Sequence, residues 1–351
     1  MCILTSSQVN MYRTKGSADD GADQTAFRRA EKLYKLYYET SKKKKESKQV
    51  DLSNVLDFKL ISESHLSNGA LPPRVSAIES RLHRPVFSID SHPGFYIIPD
   101  ALSVEEQCRW IKESLTSFPQ PPNRTNHNAI YGPIHDLFVG VSESKHLIKE
   151  SYNSIGIEKR YKWAHSDEHG DLNSSSVSAS SLLRKLRWAT LGLQFDWSMR
   201  NYNVSLPHNK LPDALFELAK YLATPAITPE DYNPDAAIVN YFGSRDTLGG
   251  HVDDIELDWN KPIVSISLGC KGIFLLGGKS RDDFPVAMFL RSGDVVLMAG
   301  EARECYHGVP RIFTDKENSE IGPLEKHFSE DKVFLDYVRA SRINVNIRQV
   351  S

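Results

Sequence analysis

The chain has 351 residues, 40% hydrophobic and 25% charged, proportions of an ordinary folded protein with a sizeable core and room for one large domain or two modest ones. Its formal net charge of -2 excludes a global basic field, so any binding of nucleic acid must use a local patch. Cys2, Cys108, Cys270 and Cys305 show no CxxC spacing and read as reduced thiols, which excludes a disulfide framework or a zinc-cysteine site.

No apolar run approaches the roughly 18 residues of a membrane span, so no membrane partner is expected. Met1 to Val9 lacks a charged region ahead of a long apolar one, which argues against secretion. Arg13, Lys15, Arg28 and Arg29 suit a mitochondrial presequence, whereas Asp19, Asp20 and Asp23 oppose one.

In chain order, residues 1 to about 24 are polar and are expected to be disordered. Ala26 to Thr40 places Phe27, Ala30, Leu33, Tyr34 and Tyr37 at helical spacing, an amphipathic helix with a basic face. That face suits either packing on the core or contact with a substrate. The five lysines of Lys42–Lys48 read as a solvated linker, with a nuclear-import or nucleic-acid tether as the other reading. Residues 51–85, interrupted by Pro72, Pro73 and Pro85, are expected to be mostly irregular, and the globular part to start near Val86. Phe95–Ile98 reads as a strand. Ser103 and Glu106 form a capping-box signature opening a helix from Val104 to about Phe118. Residues 119–181 read as a long loop-like insertion. Lys185–Phe195 reads as a strand, and Pro212–Leu222 as a helix with proline in its first turn.

From Ala236 the texture changes. Short β-rich runs at 236–242, 262–268, 272–277, 286–291, 294–300 and 342–348, separated by Gly and Asp, predict an all-β barrel or sandwich. Residues 313–338 interrupt it with a charged stretch carrying a short helix at Asp331–Val338. The expected division is an extension over 1–85, a helical and lid region over 86–235 and a β core over 236–351, with 86–351 as one compact unit.

His251 and Asp253 flank Val252, so a strand would put both on one face. His307 follows about 50 residues later with four β-runs between, and in a two-sheet barrel those strands can return it to His251. Two imidazoles and one carboxylate suit a non-haem Fe(II) held on one face with open positions. An isolated H-x-D is weak, and a lone histidine is more often a surface or core residue. Arg342 and Arg348, with Asn344 and Asn346 between, share the parity of one strand face. Buried together they would need an anionic partner, and two planar forks suit a dicarboxylate such as 2-oxoglutarate. An exposed edge strand with salt bridges is the alternative. Asn240, eleven residues before His251, can reach such a carboxylate from a neighbouring strand.

Asn240-Tyr-Phe242, Leu248-Gly-Gly-His251-Val-Asp253, His307 and Arg342-x-Asn344-x-Asn346-x-Arg348-Gln349 together resemble the AlkB family of Fe(II)/2-oxoglutarate dioxygenases. The likeness runs on through 265–278 and 289–303. With 186–197 and Phe95–Pro99 it is closest to the animal AlkB homologue 1 branch, the nucleic acid dioxygenase. The resemblance implies a mainly β, α+β fold: a double-stranded β-helix (jelly roll) core behind an N-terminal nucleotide-recognition lid and helical extension. It implies iron on His251, Asp253 and His307, with 2-oxoglutarate and O2 as cosubstrates. It implies that Arg342 grips the distal cosubstrate carboxylate with Asn240 assisting, that Arg348 lies nearer the metal, and that Asn344 belongs to the same set. Phe242 stands where the family commonly has a tyrosine, so one cosubstrate hydrogen bond is expected to be missing, and Tyr241 points to the other strand face.

The substrate implied is a methylated base: N1-methyladenine or 5-methylcytosine in tRNA, or N6-methyladenine in DNA. The base must be flipped or unpaired, which favours tRNA or locally melted DNA. Arg187, Trp188, Trp197 and Tyr202 interleave basic and aromatic groups and are the expected substrate contacts, although Trp188 and Phe195 suit a strand core equally well. No catalytic group beyond the metal ligands is expected. The branch implies nucleus or mitochondrion, with the cytoplasm also open, and a monomer is expected. A protein hydroxylase or histone demethylase on the same fold, or a non-catalytic nucleic-acid-binding jelly roll, are the competing readings.

Overall fold

The computed structural model describes residues 24–35, 50–149, 161–165 and 176–350. Helix α1 (Ala26–Tyr34) begins at Thr25, whose side chain accepts a hydrogen bond from the Arg28 amide. Its buried face is Phe27, Ala30, Glu31 and Tyr34, while Leu33, expected on that stripe, is exposed. The expected disorder of the first residues, Tyr37 and the lysine run lie outside the described residues.

Residues 51–85 are more ordered than their prolines suggest. They hold α2 (Phe58–Asn68) and β1 (Val75–Ile78). Asp57 caps α2 by accepting from the amides of Lys59 and Leu60, and Gly69 ends it at φ 72°, a left-handed conformation open to glycine. The helix buries Phe58 and little else, so no apolar period announces it. With α1 and α2 both packed, the folded part begins well before Val86.

Strands β1, β2 (Val86–Ile89) and β3 (Phe95–Ile98) pair in succession. Helix α3 (Val104–Thr116) opens with both bonds of the Ser103/Glu106 capping box. The stretch 119–181, expected to be a loop, is folded in its described parts. It carries α4 (Asn128–Tyr131), α5 (Leu137–Ser142), β4 (His146–Lys149), β5 (Tyr161–Ala164), β6 (Val177–Ser178) and the start of α6 (Ala179–Arg184). Buried Leu137, Phe138, Leu147 and Ala179 anchor it to the main core, too few to give its polar sequence a visible period. The strand expected over Lys185–Phe195 is two. β7 (Trp188–Gly192) stops at Gly192, φ 66°, where a Cβ would meet the Asp235 carbonyl at 2.1 Å. β8 (Gln194–Asp196) then pairs with β9 (Asn201–Asn203). Helix α7 (Asp213–Leu222) follows, with Pro212 at its cap.

The roll proper is β10 (Ala236–Gly243), β11 (Leu248–His251), β12 (Ile263–Gly269), β13 (Gly272–Leu276), β14 (Val286–Leu290), β15 (Val295–Met298), β16 (His307–Ile312) and β17 (Ser341–Arg348). Before β17 come α8 (Gly322–His327) and α9 (Lys332–Ala340), one helix more than expected. The larger sheet runs β1-β2-β3-β15-β12-β17-β10-β7 and the smaller β11-β16-β13-β14, the two layers of the expected double-stranded β-helix.

Strand β17 fixes the geometry. It lies between β12 and β10, so its arginines are not on an edge. Ile343, Val345 and Ile347 pack against the helical layer that includes Ile111, Leu115, Leu215 and Ala219, each burial stabilising by about 1.5–3 kcal/mol. Tyr241 of β10 also faces that layer, its hydroxyl donating to Ser114 O at 2.6 Å. The opposite face of β17, from Arg342 to Arg348, therefore turns into the space between the sheets.

Candidate metal centre

Among the described residues β11 is the edge strand of the smaller sheet, paired on one side with β16. Their register opposes His251 to His307, with an irregularity between Leu248 and His251. Pairing thus brings two imidazoles together, with ring centroids 4.4 Å apart. Asp253 is not on the strand. β11 ends at His251, and the carboxylate arrives from the turn beyond, so the expected alternation along a strand is corrected although both residues do meet. Its two oxygens lie 3.8 Å from His251 Nε2 and 3.8 Å from His307 Nε2. One ligand atom from each of the three falls within 4.8 Å of the others.

The remaining ring nitrogens are engaged. His251 Nδ1 is 2.9 Å from Gly249 O and His307 Nδ1 is 3.3 Å from Cys305 O. Protons on Nδ1 satisfy these carbonyls and leave both Nε2 lone pairs facing Asp253, the tautomer a metal needs. Burial, with His251 beside it, pushes His307 down to about 4. Burial opposes the charge of Asp253, yet Arg348, His307, His251 and Arg303 hold it well below the usual carboxylate range. Two imidazoles and one anionic carboxylate fit Fe(II) with positions left open.

Behind Asp253 stands a buried network that the sequence reading missed. Arg348 Nη2 is 3.4 Å from Asp253 Oδ2, and its Nη1 is 2.7 Å from Glu256 Oε1. Arg303 Nη2 reaches Glu256 Oε2 at 2.6 Å and the Asp253 carbonyl at 3.1 Å, and its Nη1 holds Lys261 O. Two cations and two carboxylates balance in the interior. Glu256 looked like one more surface acid in Asp253-Asp-Ile-Glu-Leu-Asp258, and Arg303 like a solvated charge in Gly300–Glu304. The nearest thing to a signal was an acid three residues past a metal-ligating carboxylate.

The triad opens into a cavity of about 290 Å³. Ile238, Asn240, Asn346 and Arg348 of the larger sheet line one side, and Phe195, Trp197, Arg200 and Tyr202 of the β8–β9 hairpin another. The hairpin aromatics brace each other, Phe195 against Trp197 at 4.8 Å and against Tyr202 at 5.2 Å. Trp188 stands behind this wall, 5.1 Å from Trp197. Of the four expected substrate contacts, Trp197 and Tyr202 therefore reach the cavity and Trp188 supports it. Arg187 lines a separate cleft and is tied to Asp246 at 3.1 Å.

The expected cosubstrate residues also divide. Asn240 lines the cavity and registers with Asn344 across β10 and β17. The Asn344 amide donates to Ser265 Oγ and Ile266 O, and its oxygen accepts from Asn346, so it buttresses the strand and does not line the cavity. Phe242, fully packed, registers with Arg342. Arg342 is 2% exposed; it donates to Cys270 O, Leu290 O and Ser267 Oγ, and its Nε has no partner. Burial pulls it down to about 10. A buried guanidinium bonded to carbonyls and a hydroxyl, with a nitrogen to spare, fits an anionic cosubstrate.

Residues 134–348 match the profile of the 2OG-Fe(II) oxygenase superfamily. The chain is 61% identical to an Arabidopsis thaliana protein named DNA N(6)-methyladenine demethylase ALKBH1A, over 97% of this chain and all of that one. It is 31% identical to the Homo sapiens nucleic acid dioxygenase ALKBH1, over 86% and 79% of the two chains. It is 30% identical to the Schizosaccharomyces pombe tRNA demethylase abh1, over 76% and 82%. These likenesses span the roll and the region before it. With iron as its metal and 2-oxoglutarate and O2 as cosubstrates, the chain belongs to the 2OG-Fe(II) oxygenase superfamily, in its AlkB homologue 1 branch.

Proposed function

We propose that the protein oxidises methyl groups on unpaired bases of nucleic acid, releasing the methyl of an N-methylated base as formaldehyde. The observation that carries this reading is the cavity: the metal face is walled by Trp197, Tyr202 and Phe195 and has about 290 Å³, the low end for small-ligand sites. That is space for a single base and not for a helix, and aromatic walls suit stacking of a flipped base, worth about 1–3 kcal/mol each. The names of the relatives, a DNA N(6)-methyladenine demethylase and a tRNA demethylase among them, support the same substrate class.

His251, Asp253 and His307 would hold the iron, which with O2 and 2-oxoglutarate would supply the oxidising power, the cosubstrate leaving as succinate and CO2. Arg342 grips the far carboxylate of 2-oxoglutarate and Asn240 assists. Arg348 keeps Asp253 ionised and aimed. Trp197 and Tyr202 offer one aromatic wall for the base to stack on and exclude water, and Arg200 at the rim meets a phosphate. A hydroxymethyl group on nitrogen collapses without a dedicated base, so no further titrating residue is needed. The protein acts as a monomer on tRNA or locally unpaired DNA, in the nucleus, mitochondrion or cytoplasm. No described helix is long and apolar enough to cross a membrane.

The test is succinate release after anaerobic Fe(II) loading, wild type against Asp253→Ala. The substrates are oligonucleotides bearing N1-methyladenine in tRNA, 5-methylcytosine in an anticodon stem-loop, or N6-methyladenine in bubble DNA. Turnover stimulated by one oligonucleotide and abolished in the variant is expected. Iron-dependent succinate release that no oligonucleotide stimulates would replace nucleic acid with protein as the substrate.

A further inference from the structure

We infer that Glu31, on the N-terminal helix α1, is a positioning residue for the metal ligand His251. It acts on the edge strand β11 from outside the roll.

An edge strand presents backbone groups that no neighbouring strand satisfies. At Gly250, the residue before the ligand, the amide donates at 2.6 Å to Glu31 Oε1. That carboxylate is itself fixed, because Arg28 Nη1 donates to Oε2 at 2.7 Å and the residue is 6% exposed. Glu31 therefore stands in for the missing strand, with a charge-assisted bond in place of a carbonyl.

The neighbouring contacts close the same grip. Phe27, fully buried, lies across Gly250 and Gly277, where a Cβ would meet its ring at 2.4 Å and 2.7 Å. Its amide donates to Arg281 O at 2.9 Å, and Arg281 Nη2 returns to Gly250 O at 2.7 Å. Both polar groups of Gly250 are thus held by residues outside the roll's strand pairing. Gly249, one residue earlier, supplies the carbonyl that orients the His251 ring. Helix α1 fixes the peptide that leads into the first ligand, and glycine at 250 is required for the helix to come this close.

Outer contacts of this kind typically change metal affinity by about 10–100-fold. The inference rests on the metal centre and is independent of the substrate. It is tested on the full chain, without nucleic acid or 2-oxoglutarate, with Co(II) as the probe ion and its absorption bands as the readout. Glu31→Ala is expected to weaken Co(II) binding about 10-fold. In the metal-free protein it should speed hydrogen exchange at residues 249–253. Glu31→Gln, whose amide oxygen still accepts from Gly250, should recover most of both. Unchanged Co(II) affinity and exchange in Glu31→Ala would overturn the inference. If Glu31→Ala is not recovered folded, Glu31→Asp, one methylene too short to reach, gives the same readout.

Discussion

At one end of β17, Arg348 shares its guanidinium between Asp253 and Glu256, with Arg303 completing the cluster. At the other, Arg342 is as deeply buried but bonds to two carbonyls and a hydroxyl. The first cation is pushed well above its ordinary value by its carboxylates although burial opposes it, and the second is pulled down by burial. A buried charge needs a counter-ion. Arg348 has two carboxylates in direct contact, while Arg342 has no ion pair among the described residues and feels Asp294 only through space. The same residue on the same strand face is thus tied into ion pairs at the metal end and left open for the proposed cosubstrate carboxylate at the other.

Replacing each arginine by methionine separates these roles. Arg348→Met leaves Asp253 without its ion pair and Glu256 with Arg303 alone, and should destabilise the metal-free protein by about 3–5 kcal/mol in urea. A smaller loss than in Arg342→Met would invert the contrast. Arg342→Met should leave that stability within about 1 kcal/mol while raising the apparent Kd for 2-oxoglutarate at least ~30-fold, roughly 2 kcal/mol. A 2-oxoglutarate titration of the metal-loaded variant decides it, and unchanged affinity would remove Arg342 from the cosubstrate site.

A pH series sharpens the comparison further. Asp294, whose charge Arg342 feels, is pushed up to about 6 by burial, against the pull of the Arg291 and Asp100 amides. Unfolded, an aspartate titrates near ~3.9. The folded state thus keeps a proton that the unfolded state gives up. The stability linked to this carboxyl is full below about 4 and is lost as pH rises through about 6, roughly 3 kcal/mol in all. Urea melts of metal-free protein at pH 4.5 and 7.5 should show that slope, and Asp294→Asn should flatten it. If so, Asp294 offsets part of the Arg342 charge above about pH 6 and little of it below, and the contrast between the two arginines is sharpest in mild acid.

The same contrast explains what was legible beforehand. The β-runs and the β17 face were readable because pairing and pleat make them periodic, the triad by the order of an H-x-D and a distant histidine although Asp253 lies past the strand, and the capping box because its chemistry is local. Glu256 and Arg303 were not, since their partners arrive from distant turns and nothing in either neighbourhood marks burial. Helix α2 was hidden by its single buried side chain, although Asp57 and Gly69 mark both its ends. Glu31 sits on the predicted apolar stripe as a charge, which a pattern reading assigns to solvent. Arg187 kept the composition of a substrate contact but was recruited by Asp246.

Strand β17 has one more consequence, for the order in which the molecule is built. β10 and β12 are not paired with each other; β17, about a hundred residues after β10, is inserted between them and joins the two halves of the larger sheet. Contacts of such long sequence separation form slowly, because a large loop must close first. The three metal ligands all precede this strand, and both arginines lie on it. Until β17 is inserted, the chain lacks Arg348 behind Asp253 as well as Arg342, and with them the support of the metal carboxylate and the proposed hold on the cosubstrate. Completing the larger sheet and completing the site are then a single event.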